Sequence, residues 1–132
     1  MTTWYLCPSA ALKLVVAETG SRELIEVIEA ERPRLVASYL LETEVRRAVQ
    51  RAVGLTQRHA TDLLDRLELQ IPGPASFVSA GLLPGLRLRS LDAIHLASAI
   101  SLNVDALVTY DVRMADAARE LGVPVISPGV ER

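Results

Sequence analysis

A chain of 132 residues is long enough for one domain with a sizeable core, and no linker, repeat or low-complexity tract divides it. We therefore expect a single domain over residues 1–132. The formal net charge of −2 at pH 7 argues against a protein that holds nucleic acid by a broadly basic surface. Half of the residues are hydrophobic, but no apolar run approaches the roughly 20 residues of a membrane-spanning helix.

The amino-terminal residues are not typical of a targeting segment, since no basic flank precedes the apolar stretch and Lys13 interrupts it. The only cysteine, Cys7, has no partner for an intrachain disulfide, so the fold does not depend on an oxidising compartment. We expect a cytoplasmic protein that does not associate with a membrane.

Short apolar runs alternate with stretches in which apolar residues recur every three to four positions. The short runs predict five strands, at residues 3–6, 34–38, 67–71, 106–109 and 124–126. Helices are predicted after Ser21, Ser38, Ser90 and Asp111, each of which could cap a first turn. The Pro- and Gly-rich residues 71–77 and 81–86 are predicted to form loops.

Strands that alternate with helices predict a mainly parallel sheet covered on both faces, a three-layer α/β/α sandwich. In such sheets, ligands collect beyond the carboxyl ends of the strands. Three of the predicted strands end close to Cys7, Ser38 and Asp111. A functional site is therefore expected near these positions.

Glu44 is the first carboxylate of interest. It shares a helical strip with Leu40 and Ala48, four residues to either side. A carboxylate at the margin of a buried strip needs a cation or hydrogen-bond partners. A solvated residue that reaches Arg47 or Arg51 is an equally open interpretation at this point.

Arginine supplies thirteen of the fourteen basic residues. Arg46, Arg47 and Arg51 lie in one stretch, and guanidinium groups suit bidentate contact with phosphate. A solvated helix face explains the same pattern. Glu42, four residues before Arg46, is typical of a surface ion pair.

Asp92 lies in the first turn of the helix predicted after Ser90, where the helix dipole stabilises a carboxylate. That placement alone could explain the residue, but an ionised carboxylate is also what a magnesium ligand must be. His95, three residues later, could pair with Asp92. A histidine between two apolar residues is more typical of a satisfied core residue, so we assign His95 no catalytic role.

Asp111 ends a predicted strand and precedes a helical pattern, so it could be an N-cap, a metal ligand or both. Asp116, five residues later, is a reserve candidate. Together, Glu44, Asp92 and Asp111 place carboxylates from three distant segments near one end of a parallel sheet. A hard-cation site could be assembled there.

Four segments, read in chain order, resemble PIN domains of the VapC toxin family over nearly the full chain: WYLCPSAALKL, ETEVRRAV, SLDAIHLASAI and LVTYDVRMADAARELGVPVISP. SLDAIHLA and TYD are the specific parts. The resemblance implies an α/β/α sandwich, an acidic pocket that binds Mg²⁺ or Mn²⁺, and RNA hydrolysis. It also implies a cognate VapB-type antitoxin and a homodimer. By position, it matches Glu44, Asp92 and Asp111 to three acids of the pocket and Ser9 to the serine that follows the family's first aspartate.

The sequence departs from the family at that first aspartate. Where the family usually shows aspartate and threonine before Ser9, this chain has Cys7 and Pro8. A thiol is a soft and commonly protonated ligand, so we expect weakened Mg²⁺ binding. A buried, small, apolar role explains Cys7 as well. Cys7 and Asp116 are kept as reserve metal ligands, and Pro8 fits the first turn of a following helix.

Metal-assisted phosphodiester hydrolysis, with Glu44, Asp92 and Asp111 as catalytic metal ligands, is the leading hypothesis. The alternative is a PIN-fold module that has lost catalysis with its first aspartate and binds antitoxin or RNA. A phosphoacceptor receiver domain is disfavoured, because no acidic pair ends the first strand and no lysine follows the last.

Overall fold

A computed structural model describes residues 1–130 of the chain. Within this range, five strands form one sheet and seven helices surround it. No helix among these residues has the length and apolar character needed to cross a membrane. The strands are β1 (Thr3–Leu6), β2 (Arg34–Ser38), β3 (Glu68–Gln70), β4 (Ala106–Val108) and β5 (Val125–Ile126). The helices are α1 (Pro8–Lys13), α2 (Ser21–Glu31), α3 (Leu40–Arg51), α4 (Gln57–Leu64), α5 (Pro74–Leu82), α6 (Ser90–Ser101) and α7 (Val112–Glu120).

All strand pairs are parallel and the strand order is β3-β2-β1-β4-β5. Each predicted strand is confirmed, and the last three are one or two residues shorter than predicted. Receiver domains have β1 and β3 as neighbours. The receiver interpretation is therefore wrong, because β2 separates these two strands here.

Side chains of each strand alternate between two separate cores. In β1, Trp4 and Leu6 join the core on one face of the sheet, whereas Tyr5 joins the core on the other face. Residues from α1, α2, α3 and α4 pack into the first core, and residues from α6 and α7 pack into the second. This arrangement confirms the three-layer α/β/α sandwich.

Two of the predicted serine caps are wrong. Ser21 and Ser90 are the first residues of their helices, and Gly20 and Arg89 occupy the N-cap positions without a side-chain bond to the helix. Gly20 has a φ of 91°, a conformation that glycine adopts readily. The Ser21 hydroxyl instead donates to the Val16 carbonyl at 3.1 Å.

The two other predicted helix starts are anchored by the expected side chains. Asp111 caps α7, because its Oδ1 accepts hydrogen bonds from the N–H groups of Arg113 and Met114 at 2.9 and 3.2 Å. The Ser38 hydroxyl accepts a hydrogen bond from the Leu40 N–H at 3.2 Å, one residue before the N-cap position of α3.

The prediction of loops at residues 71–77 and 81–86 is partly wrong, because α5 runs through the segment. Gly73 is the extended N-cap residue and Pro74 opens the helix. Proline fits that position, since the first N–H of a helix has no partner within the helix. Pro8 opens α1 in the same way, as predicted.

Candidate active site

The charges of three predicted acidic residues, Glu44, Asp92 and Asp111, act on the end of β1, which neighbours β4 in the sheet. The chain leaves β1 towards β2 and β3 on one side and later returns to β4 on the other, so β1 and β4 flank the topological switch point of the sheet. Cys7 follows β1 directly and is 1% exposed. Burial raises the pKa of the Cys7 thiol far above its usual range, and the charges of Asp92, Glu44 and Asp111 raise it further. The thiol is therefore protonated, and the charges of all three carboxylates act on it.

Asp92 lies in the first turn of α6, as predicted. Burial raises its pKa above the ordinary value, and the nearby charges of Asp111 and Glu44 act in the same direction. His95 and Arg89 lower it. Negative charge is thus crowded at this edge of the sheet, and a bound cation would relieve the crowding.

Glu44 on α3 is held by a histidine. Its Oε1 lies 2.6 Å from Nε2 of His95, and the Glu44 side chain is 25% exposed. Glu44 therefore has a hydrogen-bond partner, one of the two supports expected for it. No bond from Glu44 to Arg47 or Arg51 occurs among residues 1–130. His95 is fully buried and satisfied, and its ring nitrogens bond Tyr5 and Glu44 rather than Asp92.

Ser9 braces the corner that carries Asp111. The Ser9 hydroxyl accepts a hydrogen bond from the Tyr110 N–H at 2.9 Å and lies 3.2 Å from the Thr109 hydroxyl. The Thr109 hydroxyl in turn accepts from the Asp111 N–H at 3.2 Å. The sequence analysis missed Thr109, which is fully buried. Its position at the carboxyl end of β4, directly before the YD of the TYD motif, was the available signal.

A groove beside Glu44 carries two arginines. Arg46 is paired with Glu42, as predicted, and is not among the residues that line this groove. Arg47 and Arg51 are exposed and line the groove with Glu44. The groove has a volume of about 380 Å³ and an apolar wall. The wall includes Pro8, Leu12, Val45, Ala48 and Leu91.

Asp116 does not join the acidic group. It is exposed, lies 4.0 Å from Arg119, and is not among the charges that act on Cys7 or Asp92. Across residues 1–130, no three side chains of the His, Cys, Asp and Glu types are arranged to hold a metal ion. Three carboxylates nevertheless supply the hard oxygen donors that Mg²⁺ and Mn²⁺ prefer, and their crowded charge favours a cation. The donor type, as distinct from its arrangement in this structure, therefore suits a divalent metal.

The PIN domain family model matches residues 9–120. The chain belongs to the PIN-domain family. Ribonuclease VapC46 from Mycobacterium tuberculosis is 41% identical to this PIN domain over 131 residues, covering 97% of this chain and 99% of the relative. Ribonuclease VapC47 from the same species is 38% identical over 136 residues, covering 97% and 98%.

The fold of this PIN domain is also found in a solved structure, that of VapBC2 from Rickettsia felis bound to a DNA fragment from their promoter. The TM-score is 0.72 with 17% sequence identity, and the match covers 95% of this chain and 98% of the other. At this identity the likeness is one of fold. The family match starts at Ser9, so Cys7 lies just outside the matched segment.

Proposed function

We propose that this PIN domain is the toxin of a type II toxin–antitoxin pair and acts as a Mg²⁺- or Mn²⁺-dependent endoribonuclease. The observation that carries the proposal is the match of residues 9–120 to the PIN domain family. The charges of Glu44, Asp92 and Asp111, all of which act on Cys7 at the end of β1, support the site. The relatives VapC46 and VapC47, which are named ribonucleases, support the activity.

Two of the three carboxylates have a distinct support that leaves an oxygen for a ligand. Asp111 uses Oδ1 as the cap of α7, which leaves Oδ2. Glu44 gives Oε1 to His95, which leaves Oε2. Asp92, in the first turn of α6, lies between their charges. When bound to these oxygens, a divalent cation would activate water and neutralise charge on the scissile phosphate.

Arg47 and Arg51 provide a path for the RNA backbone. They lie one helical turn apart on α3 and line the same groove as Glu44. Guanidinium groups donate paired hydrogen bonds to phosphate oxygens. Two such contacts beside the acidic site would let a chain with a net charge of −2 hold a polyanion locally.

The proposal extends to partners and location. We propose that a VapB-type antitoxin binds this toxin. We also propose that the toxin forms a homodimer and acts in the cytoplasm, where its RNA substrate is found. The VapBC2 structure supports the antitoxin. Helix α5 exposes Phe77, Val78 and Leu82 at 50%, 63% and 79%, a surface of the kind that protein partners cover.

The test is to incubate the purified chain, free of any antitoxin, with mixed RNA in Mg²⁺, in Mn²⁺ or in chelator. Asp92→Asn runs in parallel to exclude a contaminating nuclease. Cleavage that requires both the metal and Asp92 supports the proposal. Cleavage that persists in chelator or in Asp92→Asn contradicts it.

A binding module without catalysis is the second candidate, and Cys7 favours it. The thiol is buried and protonated, so the position that would complete the ring of carboxylates carries no charge. This candidate predicts that the chain binds antitoxin or RNA but leaves RNA intact in every metal tested. The Cys7→Asp variant, discussed below, separates a missing ligand from a deeper loss.

A further inference from the structure

A chain of buried hydrogen bonds leads from the backbone of β2 to Glu44. The Ser38 N–H donates to Oη of Tyr5 at 3.0 Å. Oη of Tyr5 lies 2.7 Å from Nδ1 of His95, and Nε2 of His95 lies 2.6 Å from Oε1 of Glu44. Tyr5 and His95 are both fully buried. One end of the hydrogen-bond chain is therefore fixed to the sheet, and the other end is the partly exposed carboxylate of Glu44.

The donor and acceptor inventory sets the direction of these bonds. Nε2 of His95 must carry a hydrogen, because a bare nitrogen would face a carboxylate lone pair at 2.6 Å. The Tyr5 oxygen already accepts from Ser38, so its own hydrogen is available to Nδ1. Burial raises the pKa of Tyr5 far above its usual range, which keeps that hydrogen on the phenol.

Deepening the proposed function, on which this step rests, we infer that His95 is a positioning residue for Glu44. Its Nε2–H holds Oε1 and leaves Oε2 free of this bond, so that Oε2 would be available to a divalent cation, while Tyr5 fixes the plane of the imidazole. Carboxylates that bind metals are commonly held in this way by a second hydrogen bond. A glutamate side chain that is ordered in advance does not lose its rotamer freedom when the ligand arrives.

The competing interpretation is that His95 only satisfies the core. The exposure of Glu44 distinguishes the two. A side chain that is 25% exposed can be satisfied by water, so Glu44 does not need His95 for its own solvation. A purely structural His95 would affect stability and leave metal affinity unchanged. A positioning His95 affects metal affinity beyond any effect on stability.

The experiment measures Mn²⁺ binding to the purified chain without RNA, by electron paramagnetic resonance of the free ion. Tyr5→Phe and His95→Leu remove the two bonds, and His95→Gln restores a side-chain N–H towards Glu44. Leu96→Val, at a fully buried position on the same helix, controls for loss of core stability. Thermal unfolding of every variant is followed by circular dichroism.

We expect His95→Leu and Tyr5→Phe to weaken Mn²⁺ binding about 10- to 100-fold, the usual effect of removing a group that orients a metal ligand. His95→Gln should recover most of the affinity, and Leu96→Val should bind as the unmodified chain does despite a lower Tm. Unchanged affinity in His95→Leu, or equal weakening in Leu96→Val, would overturn the inference. If either larger change prevents folding, His95→Gln is compared with the unmodified chain and with Glu44→Ala. The inference expects His95→Gln to bind Mn²⁺ more weakly than the unmodified chain and far more tightly than Glu44→Ala. Any other order would overturn it.

Failure of the positioning role can be distinguished from failure of the proposed nuclease function. An unmodified chain that binds Mn²⁺ but cuts no RNA contradicts the nuclease and leaves the positioning role standing on the variants. An unmodified chain that binds no Mn²⁺ overturns the positioning role as well.

Discussion

Nε2 of His95 lies 2.6 Å from Oε1 of Glu44, although the two residues are 51 positions apart in the chain. Helix α3, which carries Glu44, packs on one face of the sheet, and α6, which carries His95, packs on the other. The bond therefore joins the two helical layers at the edge where β1 ends. Changes to either helical layer can therefore alter the acidic site.

Asp92→Asn should stabilise the metal-free chain. Because the folded-state pKa of Asp92 is raised, the ionised carboxylate destabilises the folded state at pH 7, and this effect disappears as pH falls through the folded pKa. The Tm in chelator should rise by a few degrees at pH 7, and the difference should shrink in acid. Asp116→Asn, at an exposed acid of the next helix, is the control and should change little. A lower Tm for Asp92→Asn at pH 7 would contradict this electrostatic account.

Cys7→Asp should make both the thermal stability and the RNA cleavage rate depend on Mg²⁺. A fourth carboxylate, buried beside three others, should lower the Tm in chelator, because it must ionise in a crowded, desolvated place. Mg²⁺ should add about 2.7 kcal/mol to the free energy of unfolding when the ion is at 100 times its Kd, and the Tm should recover accordingly. It should also raise the cleavage rate at least about tenfold. Cys7→Asn, of equal size without charge, should show neither effect. Absence of cleavage in Cys7→Asp would favour the binding module.

Asp111 has two roles that a pair of variants can separate. Asp111→Asn keeps a side-chain oxygen for the N–H groups of Arg113 and Met114, so stability should change by only a few tenths of a kcal/mol. Asp111→Ala removes the cap and should lower the free energy of unfolding by about 1 kcal/mol. Both remove the carboxylate and should reduce cleavage about 100-fold or more. Full activity in Asp111→Asn would show that the residue serves only as a cap.

Arg47→Ala should weaken RNA binding without affecting the chemical step. The KM for RNA should rise severalfold with kcat nearly unchanged, since the guanidinium contacts phosphate away from the reacting atoms. The slope of log affinity against log salt should fall by about 0.7, the value for one phosphate contact on a single strand. Arg58→Ala, at an exposed arginine paired with Asp62, is the control. An equal effect of both variants would indicate a general charge effect and contradict a specific contact.

Much of the fold could be predicted because its signals are local. The run TWYL is too short and apolar for a helix, and it forms β1 with the predicted bounds. Asp111 caps α7 because its carboxylate needs only the next two or three backbone N–H groups. The serine caps at Ser21 and Ser90 were wrong by one position, since a capping side chain and a first-turn side chain differ only in backbone angles that the sequence does not show.

The candidate site was predicted less completely. The three carboxylates were selected because their elements meet one edge of a parallel sheet, and the charges of Asp111 and Glu44 both raise the pKa of Asp92. Their role as metal ligands stays a prediction. The partner of Glu44 was not found. His95 was read correctly as a buried, satisfied residue, but its bond to Glu44 depends on how two helices from opposite layers meet.

The sequence by itself determined the five strands and their parallel arrangement, because apolar runs and strand ends depend on neighbours along the chain. It did not determine α5, which was predicted as loop. Only the tertiary structure decided which groups touch: the line from Ser38 through Tyr5 and His95 to Glu44, and the brace between Ser9 and Thr109. Such contacts form between residues about 30 to 100 positions apart, so packing of the layers, and not any local pattern, brings them within hydrogen-bond distance.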